Sequence, residues 1–231
     1  MVKGESFHKE YEVLTFLIAK RLSLSVAICA GDLGMAEFLV SAVSLNNSNF
    51  QTTPAITYAI FIAILIIHGF LNTLPVHYTG IINNVSVWWH MIGTLFIIVV
   101  GLLLTPNKPS ASFALGQVYN NTGFNSTGYV WLLGLLQSQF TLNGYDTAAH
   151  VSEETKSAQR GSPMGIVMAI AVSAVTGTAL MIACAFMIQD FERQILNTNM
   201  SMPITQVFLD STGIGWTNWF LVIVLVAMFF A

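Results

Sequence analysis

Tyr129-Val-Trp-Leu-Leu-Gly-Leu-Leu-Gln-Ser-Gln-Phe140-Thr-Leu-Asn143-Gly144-Tyr145-Asp146-Thr-Ala-Ala-His150-Val-Ser-Glu153-Glu154-Thr-Lys156 is the stretch on which the reading of this chain turns. A helix needs ~20 residues to cross ~30 Å of hydrocarbon. Within that length an apolar first half gives way to Gln137, Ser138, Gln139, Asn143 and Asp146. Asn-Gly-Tyr-Asp is a poor helical core, because Gly costs ~1 kcal/mol against Ala and both Asn and Asp compete for the backbone. Non-helical backbone at membrane depth is tolerated only where protein or a water-filled cavity receives it. One reading is therefore a discontinuous helix whose freed amides and carbonyls near the midplane can hold a small polar ligand. The other is a continuous helix whose polar side chains are satisfied by neighbouring helices. The residues by themselves weigh the two equally.

The rest of the chain supports membrane depth for this stretch. Its 231 residues are 55% hydrophobic and only 8% charged, where soluble domains carry about a quarter charged residues. From Asn46 to Thr155 the only charged residues are Lys108, Asp146, Glu153 and Glu154. No basic run invites nucleic acid. Cys29 and Cys184 both fall in apolar stretches, so they imply neither a disulfide nor a metal site. No Ser/His/Asp arrangement, metal-spaced cluster or cofactor motif is present, and an enzyme is not expected. Glu5, Lys9, Glu10 and Glu12 break up any apolar core of a signal peptide.

The expected fold is all-α, a polytopic transmembrane bundle. Six apolar segments are long enough to span: residues 23–45, 54–74, 87–104, 129–149, 163–188 and 214–231. Residues 1–22 form a separate, atypical segment with Phe7, Tyr11, Leu14, Leu17 and Ile18 at helical spacing. Pro75–Ser86 and Gln189–Gly213 read as loops, and Pro163 as the first residue of a helix. Asp32 and Glu37 interrupt the first span at ~3 kcal/mol each, so both are expected to face the bundle. His68, His90 and His150 are proton-relay candidates by depth. His150 leads because Glu153 and Glu154 lie one turn on; a helix-to-helix hydrogen bond or a place at the interface is the plainer reading of each. Trp88, Trp89 and His90 fit an interfacial belt. Gly165, Ala169 and Gly177 fit close helix packing.

Residues 137–156, followed by Arg160-Gly-Ser-Pro-Met-Gly-Ile, resemble the sixth transmembrane helix and following loop of the amino acid–polyamine–organocation superfamily, most closely its fungal branch of GABA and choline permeases. Asn83-Asn-Val-Ser-Val-Trp-Trp-His-Met-Ile-Gly-Thr resembles the start of that branch's fifth helix, and Pro203-Ile-Thr-Gln-Val-Phe-Leu-Asp its loop before helix eight. The resemblance runs from about Leu24 to Ala231. It implies a LeuT-like fold of about twelve spans in two five-helix inverted repeats, of which these six would be helices three to eight, a central fragment without the first broken helix. It further implies that Phe140 is a gating aromatic, that Asn143, Gly144 and Tyr145 form the unwound substrate-binding stretch, and that Asp146 is the acid just after it. His150, Glu153 and Glu154 would lie toward the cytoplasmic end as a proton relay. The function implied is secondary active transport of an amino acid or related amine (GABA-like or choline-like), coupled to an ion, in first place a proton. The setting would be the lipid bilayer of the plasma or vacuolar membrane. A channel subunit and a non-transporting truncated protein or interaction partner are the alternatives.

Charge sets the orientation. Lys3, Lys9, Lys20 and Arg21 precede the first span, and Lys156 and Arg160 follow the fourth. Six crossings put these two groups on one side, which the positive-inside rule makes cytoplasmic. The glycosylation sequons at Asn46, Asn120, Asn125 and Asn199 fall on the other side, with Asn84 the exception. A cysteine placed at Ser126 should therefore react with a membrane-impermeant reagent on intact cells, and one at Ser157 only after permeabilisation. Equal labelling, or labelling at position 157 alone, would defeat this orientation.

Overall fold

In the computed structural model, which describes residues 2–47, 49–141, 149 and 158–230, all described regular structure is helical. The elements are α1 (Val2–Asn46), α2 (Pro54–Leu71), α3 (Val76–Leu104), α4 (Ala111–Gly116), α5 (Thr127–Thr141), α6 (Ala158–Met187), a π-helical turn (Glu192–Leu196) and α7 (Pro203–Phe230). Five stretches are long and apolar enough to cross a membrane: Ser25–Asn46, Pro54–Leu71, His77–Leu104, Gln159–Met187 and Pro203–Phe230. Thr127–Leu136 is a shorter apolar helix, and residues 142–148 of the expected fourth span lie outside the described residues. Large apolar side chains such as Phe70, Leu103, Val175 and Met181 are exposed. On a soluble protein they would form an aggregation surface; on membrane spans such side chains face lipid or further helices.

Local chemistry sets the helix ends. Thr53 is extended and its hydroxyl accepts from the Ile56 amide at 3.4 Å, while Pro54 supplies a pre-set φ for the first turn of α2. At the other end the Asn72 amide and side chain both donate to the His68 carbonyl, at 3.0 and 2.9 Å. Ser126 starts α5 in the same way, accepting from the Tyr129 amide at 3.4 Å.

Two of the expected loops are shorter than the sequence implied, and the helix expected to start at Pro163 begins earlier. Helix α3 begins at Val76, directly after Pro75, whose carbonyl accepts from the Tyr78 amide at 2.9 Å. Gly80, Asn83 and Asn84 weaken a helix by ~1 kcal/mol or less each, which is not enough to stop one that packing extends. Pro163 stands inside α6. The segment Gln189–Gly213 contains the π-helical turn and the first eleven residues of α7. Gly213 breaks α7 with φ 78° and ψ 168°, so the expected start at Ile214 marks the second of its two segments. Side chains satisfy carbonyls on either side of the break: Thr212 Oγ1 donates to Phe208 O and Thr217 Oγ1 to Gly213 O, both at 2.8 Å.

The chain divides into two units. The first comprises Met1–Gly93 and Glu192–Ala231. Its core is Met35, Ala36 and Ile64, against which Leu39, Ile60, Phe61, Leu225, Met228 and Phe229 pack. Between spans, small residues let backbones approach closely. Ala36 is fully buried; a Cβ on Gly93 would stand 2.5 Å from Ile223 Cγ2, and one on Gly34 3.2 Å from Met228 Cε. Polar bonds add to this: Ser41 Oγ accepts from the Met202 amide at 2.8 Å, and Asn46 and Asn218 exchange side-chain amide bonds at 2.8 and 3.0 Å. Trp89 Nε1 donates to Ile223 O at 3.0 Å. The second unit comprises Thr94–Phe191. There α4 packs against α6, and Tyr119 stacks on Phe191 with centroids 4.0 Å apart and rings within 7° of parallel.

Glycines at three positions should respond differently to alanine, as measured by thermal or denaturant unfolding in mixed micelles. Gly93→Ala must push Ile223 aside and should cost ~1–3 kcal/mol. Gly213→Ala, at a backbone conformation essentially confined to glycine, should cost a similar ~1–3 kcal/mol although nothing lies within 4 Å of its Cβ position. At Gly177, inside α6, a Cβ would meet nothing within 4 Å among the described residues. In the 231-residue chain Gly177→Ala should therefore stabilise by ~0.5–1 kcal/mol.

Candidate functional site

An aspartate in an apolar span must find a partner, neutralise, or reach water. Asp32 stands in the Ser25–Asn46 span and is 5% exposed. Its partner comes from the next helix: Asp32 Oδ1 lies 2.9 Å from His68 Nδ1. Helix α1 runs into the 47–53 connection and α2 runs back out of it. Asp32 and His68 each stand about 21 Å along their helices from that connection, at 1.5 Å per residue. In an antiparallel hairpin, equal distances from the turn place two residues level. His68 is held in the last turn of α2, where Asn72 satisfies its carbonyl twice.

The surroundings are apolar. The Phe229 ring lies 5.1 Å from the His68 ring, centroid to centroid, at 54°. One turn along each helix, Ala36 and Ile64 belong to the Met35–Ala36–Ile64 core. The outer atoms of the pair, Asp32 Oδ2 and His68 Nε2, are buried and meet no hydrogen-bond partner among the described residues. Chemically the site can do two things: link α1 to α2, and offer a proton-accepting atom to which no other described residue bonds.

A second polar cluster lies where α7 meets the π-helical turn. Asp210 accepts from Arg193 Nη2 at 2.6 Å, from the buried Gln194 at 2.9 Å and from Gln206 at 2.9 Å. All four residues are engaged with one another, and Arg193 is mostly exposed, so the ion pair contributes ~1 kcal/mol at most. This cluster is a clamp on the chain entering α7.

Of the residues expected to bind substrate, Phe140 falls in the last turn of α5. Asn143, Gly144, Tyr145 and Asp146 lie outside the described residues, as do the relay candidates His150, Glu153 and Glu154. His90 turns to its own helix rather than to a neighbouring one: its Nδ1 meets Ser86 O at 2.8 Å, and Ser86 Oγ donates to Phe230 O at 3.3 Å. Glu37 is half-buried. No group of three or more His, Cys, Asp or Glu among the described residues could hold a metal ion. The pairing of Asp32 with His68 was missed from sequence, although one signal pointed to it. An acid in one span and a histidine in the next, equally far from a short loop, are level by construction.

Comparison with known proteins adds a family likeness. A family model described as amino acid permease matches residues 5–231, and so reaches further toward the start than the resemblance read from sequence. The amino-acid permease BAT1 of Arabidopsis thaliana is 28% identical over 81% of this chain and 37% of its own length. The GABA-specific permease of Saccharomyces cerevisiae is 25% identical over 94% of this chain and 39% of its own. The polyamine transporter TPO5 of the same yeast is 26% identical over 82% and 31%. The chain thus spans about a third of the length of these curated relatives.

Removing one member of the buried pair should hurt more than removing both. His68→Ala leaves Asp32 uncompensated in the apolar interior and should cost ~3–5 kcal/mol in unfolding from mixed micelles. The double variant Asp32→Leu with His68→Leu should come within ~1 kcal/mol of the parent or exceed it in stability. Additive losses would mean that the two side chains are not coupled.

Proposed function

This chain belongs to the amino acid permease family, and we propose that it supplies the central spans of a secondary transporter of amino acids or related amines. The observation that carries this is the family match over residues 5–231, which takes in every described span. The relatives named above handle amino acids, GABA and polyamines by name, so the substrate class is a small molecule with a charged amine. The chain is an integral membrane protein; the plasma or vacuolar membrane is its proposed location.

Substrate binds, on this reading, at the stretch after α5 whose sequence, Asn143-Gly144-Tyr145-Asp146, disfavours a continuous helix. Asn143, Gly144 and Tyr145 offer backbone amides and carbonyls to the amino and carboxyl groups. A glycine allows backbone to approach ligand closely. Phe140, one turn earlier, closes over the bound molecule, and Asp146 follows the break. A proton is the coupling ion on this reading, with His150, Glu153 and Glu154 as the relay by which it leaves at the cytoplasmic end. Unwound backbone near the midplane is where transporters of this kind hold small polar substrates, because half-helix ends there present unpaired donors and acceptors.

The test is a chimera. The matching region of the yeast GABA-specific permease is replaced by this chain, and uptake of labelled GABA, an amino-acid mixture and spermidine is measured against surface abundance. Saturable uptake of at least one is expected. Gly144→Leu should abolish it at unchanged surface abundance, and Phe140→Ala should raise the substrate concentration giving half-maximal uptake. If each loss of uptake is matched by an equal loss of surface protein, the stretch is structural and the site assignment fails.

A further inference from the structure

We propose that Asp32 and His68 form an intramembrane proton-binding site and that this pair carries the coupling proton; the second half of the statement rests on the transport reading above. Geometry comes first. His68 Nδ1 stands 2.9 Å from Asp32 Oδ1; a carboxylate this close keeps the proton of the neutral ring on Nδ1, which leaves Nε2 as the basic nitrogen. That atom is buried and has no partner among the described residues, and neither has Asp32 Oδ2. In the deprotonated state the pair is a carboxylate beside a neutral imidazole, with a net charge of one negative. A proton from water binds Nε2, giving an imidazolium bonded to the carboxylate, net neutral; its release to the other side restores the starting state. Atoms and charge balance with no other reactant.

Three observations favour a proton over other occupants and over a purely structural role. Two ligand atoms are too few for a metal ion, and no larger ligand group exists among the described residues. Holding two helices together does not require ions, since apolar residues of similar volume do that at least as well. The neutral, protonated state suits an apolar wall of Phe229, Ala36 and Ile64, whereas the charged one does not. Binding a proton therefore changes how well α1, α2 and α7 pack around the pair, which is the differential a coupling site needs.

Neighbouring groups leave the pair in charge of its own protonation. On α1, Cys29 lies one turn before Asp32 and is exposed, and Glu37 lies five residues on and points about 140° away round the helix. Helix α2 brings no other acid or base to this level, since Tyr58 lies ten residues away toward the connection. The 214–230 segment of α7 carries no titratable side chain, and Asp210 is taken up by Arg193, Gln194 and Gln206.

The first test uses the 231-residue chain in lipid nanodiscs with ¹⁵N-labelled histidine, the His68 signals being identified by their loss in His68→Gln. Nitrogen shifts distinguish imidazolium from each neutral tautomer. As the pH is lowered over the range in which the chain stays folded, Nε2 of His68 should gain a proton while Nδ1 stays protonated throughout. Asp32→Asn keeps an acceptor at Oδ1 but removes the charge, and should displace the transition. A His68 ring in one protonation state over that range, or one indifferent to Asp32→Asn, overturns the proton site. The second test uses the chimera in proteoliposomes. Asp32→Asn should lower accumulation driven by a pH gradient about tenfold or more while leaving exchange of labelled for unlabelled substrate intact. A merely structural pair predicts equal effects on both, and unchanged accumulation overturns the coupling role. If the parent chimera moves no substrate, the transport reading falls, and the nanodisc titration still decides the proton site.

Discussion

An ionised carboxylate has no stable place alone in hydrocarbon, and this single constraint organises the first unit of the protein. With Asp32 in the Ser25–Asn46 span, α1 must present that face to something that can answer it. His68 answers, at 2.9 Å. Because the pair must be level, the register of α2 against α1 is set, and with it the meeting of Met35 and Ala36 with Ile64. The last turn of α7 then closes the apolar wall through Phe229. Packing in lipid gains little from hydrophobicity, since the tails are as apolar as the side chains. Close approach and satisfied polar groups do the work instead, and Gly93 beside Ile223, Ser41 with Met202 and Asn46 with Asn218 are instances of both.

The same constraint explains how α7 tolerates a break. Carbonyls freed at a kink need donors, and the chain provides them locally through Thr212 and Thr217. Gly213 supplies a backbone conformation that side-chain-bearing residues avoid. Below the break, Asp210 gathers Arg193, Gln194 and Gln206 into one network, so the approach to α7 is tied before the span begins. Broken helices are thus within this chain's means, and their polar groups are met by side chains at the break itself.

A permease needs a place where a polar substrate and a driving ion are both recognised in an apolar medium. In the proposed arrangement the two tasks are separated: backbone around Gly144 takes the substrate, and the Asp32–His68 pair takes the proton. Ion and substrate need not touch to be coupled. Each need only bind one arrangement of the helices better than the other.

The sequence by itself determined that this is a bundle of membrane helices, because a chain with so few charges and repeated apolar runs of span length has no other way to satisfy its backbone in lipid. It also carried the family likeness, and it marked Asp32 and His68 as separate oddities in neighbouring spans. Helix ends were less legible: Gly80, Asn83 and Asn84 look like breakers, yet they sit within α3, since a cost of ~1 kcal/mol or less per residue yields to tertiary packing. Which glycine is crowded was not legible at all. Gly93 and Gly177 look alike in sequence, and only the nearness of Ile223 tells them apart. The pairing of Asp32 with His68 was likewise a decision of tertiary structure. A carboxylate's need for a partner is written in its own chemistry, but which of several histidines meets it depends on which faces two helices turn toward each other.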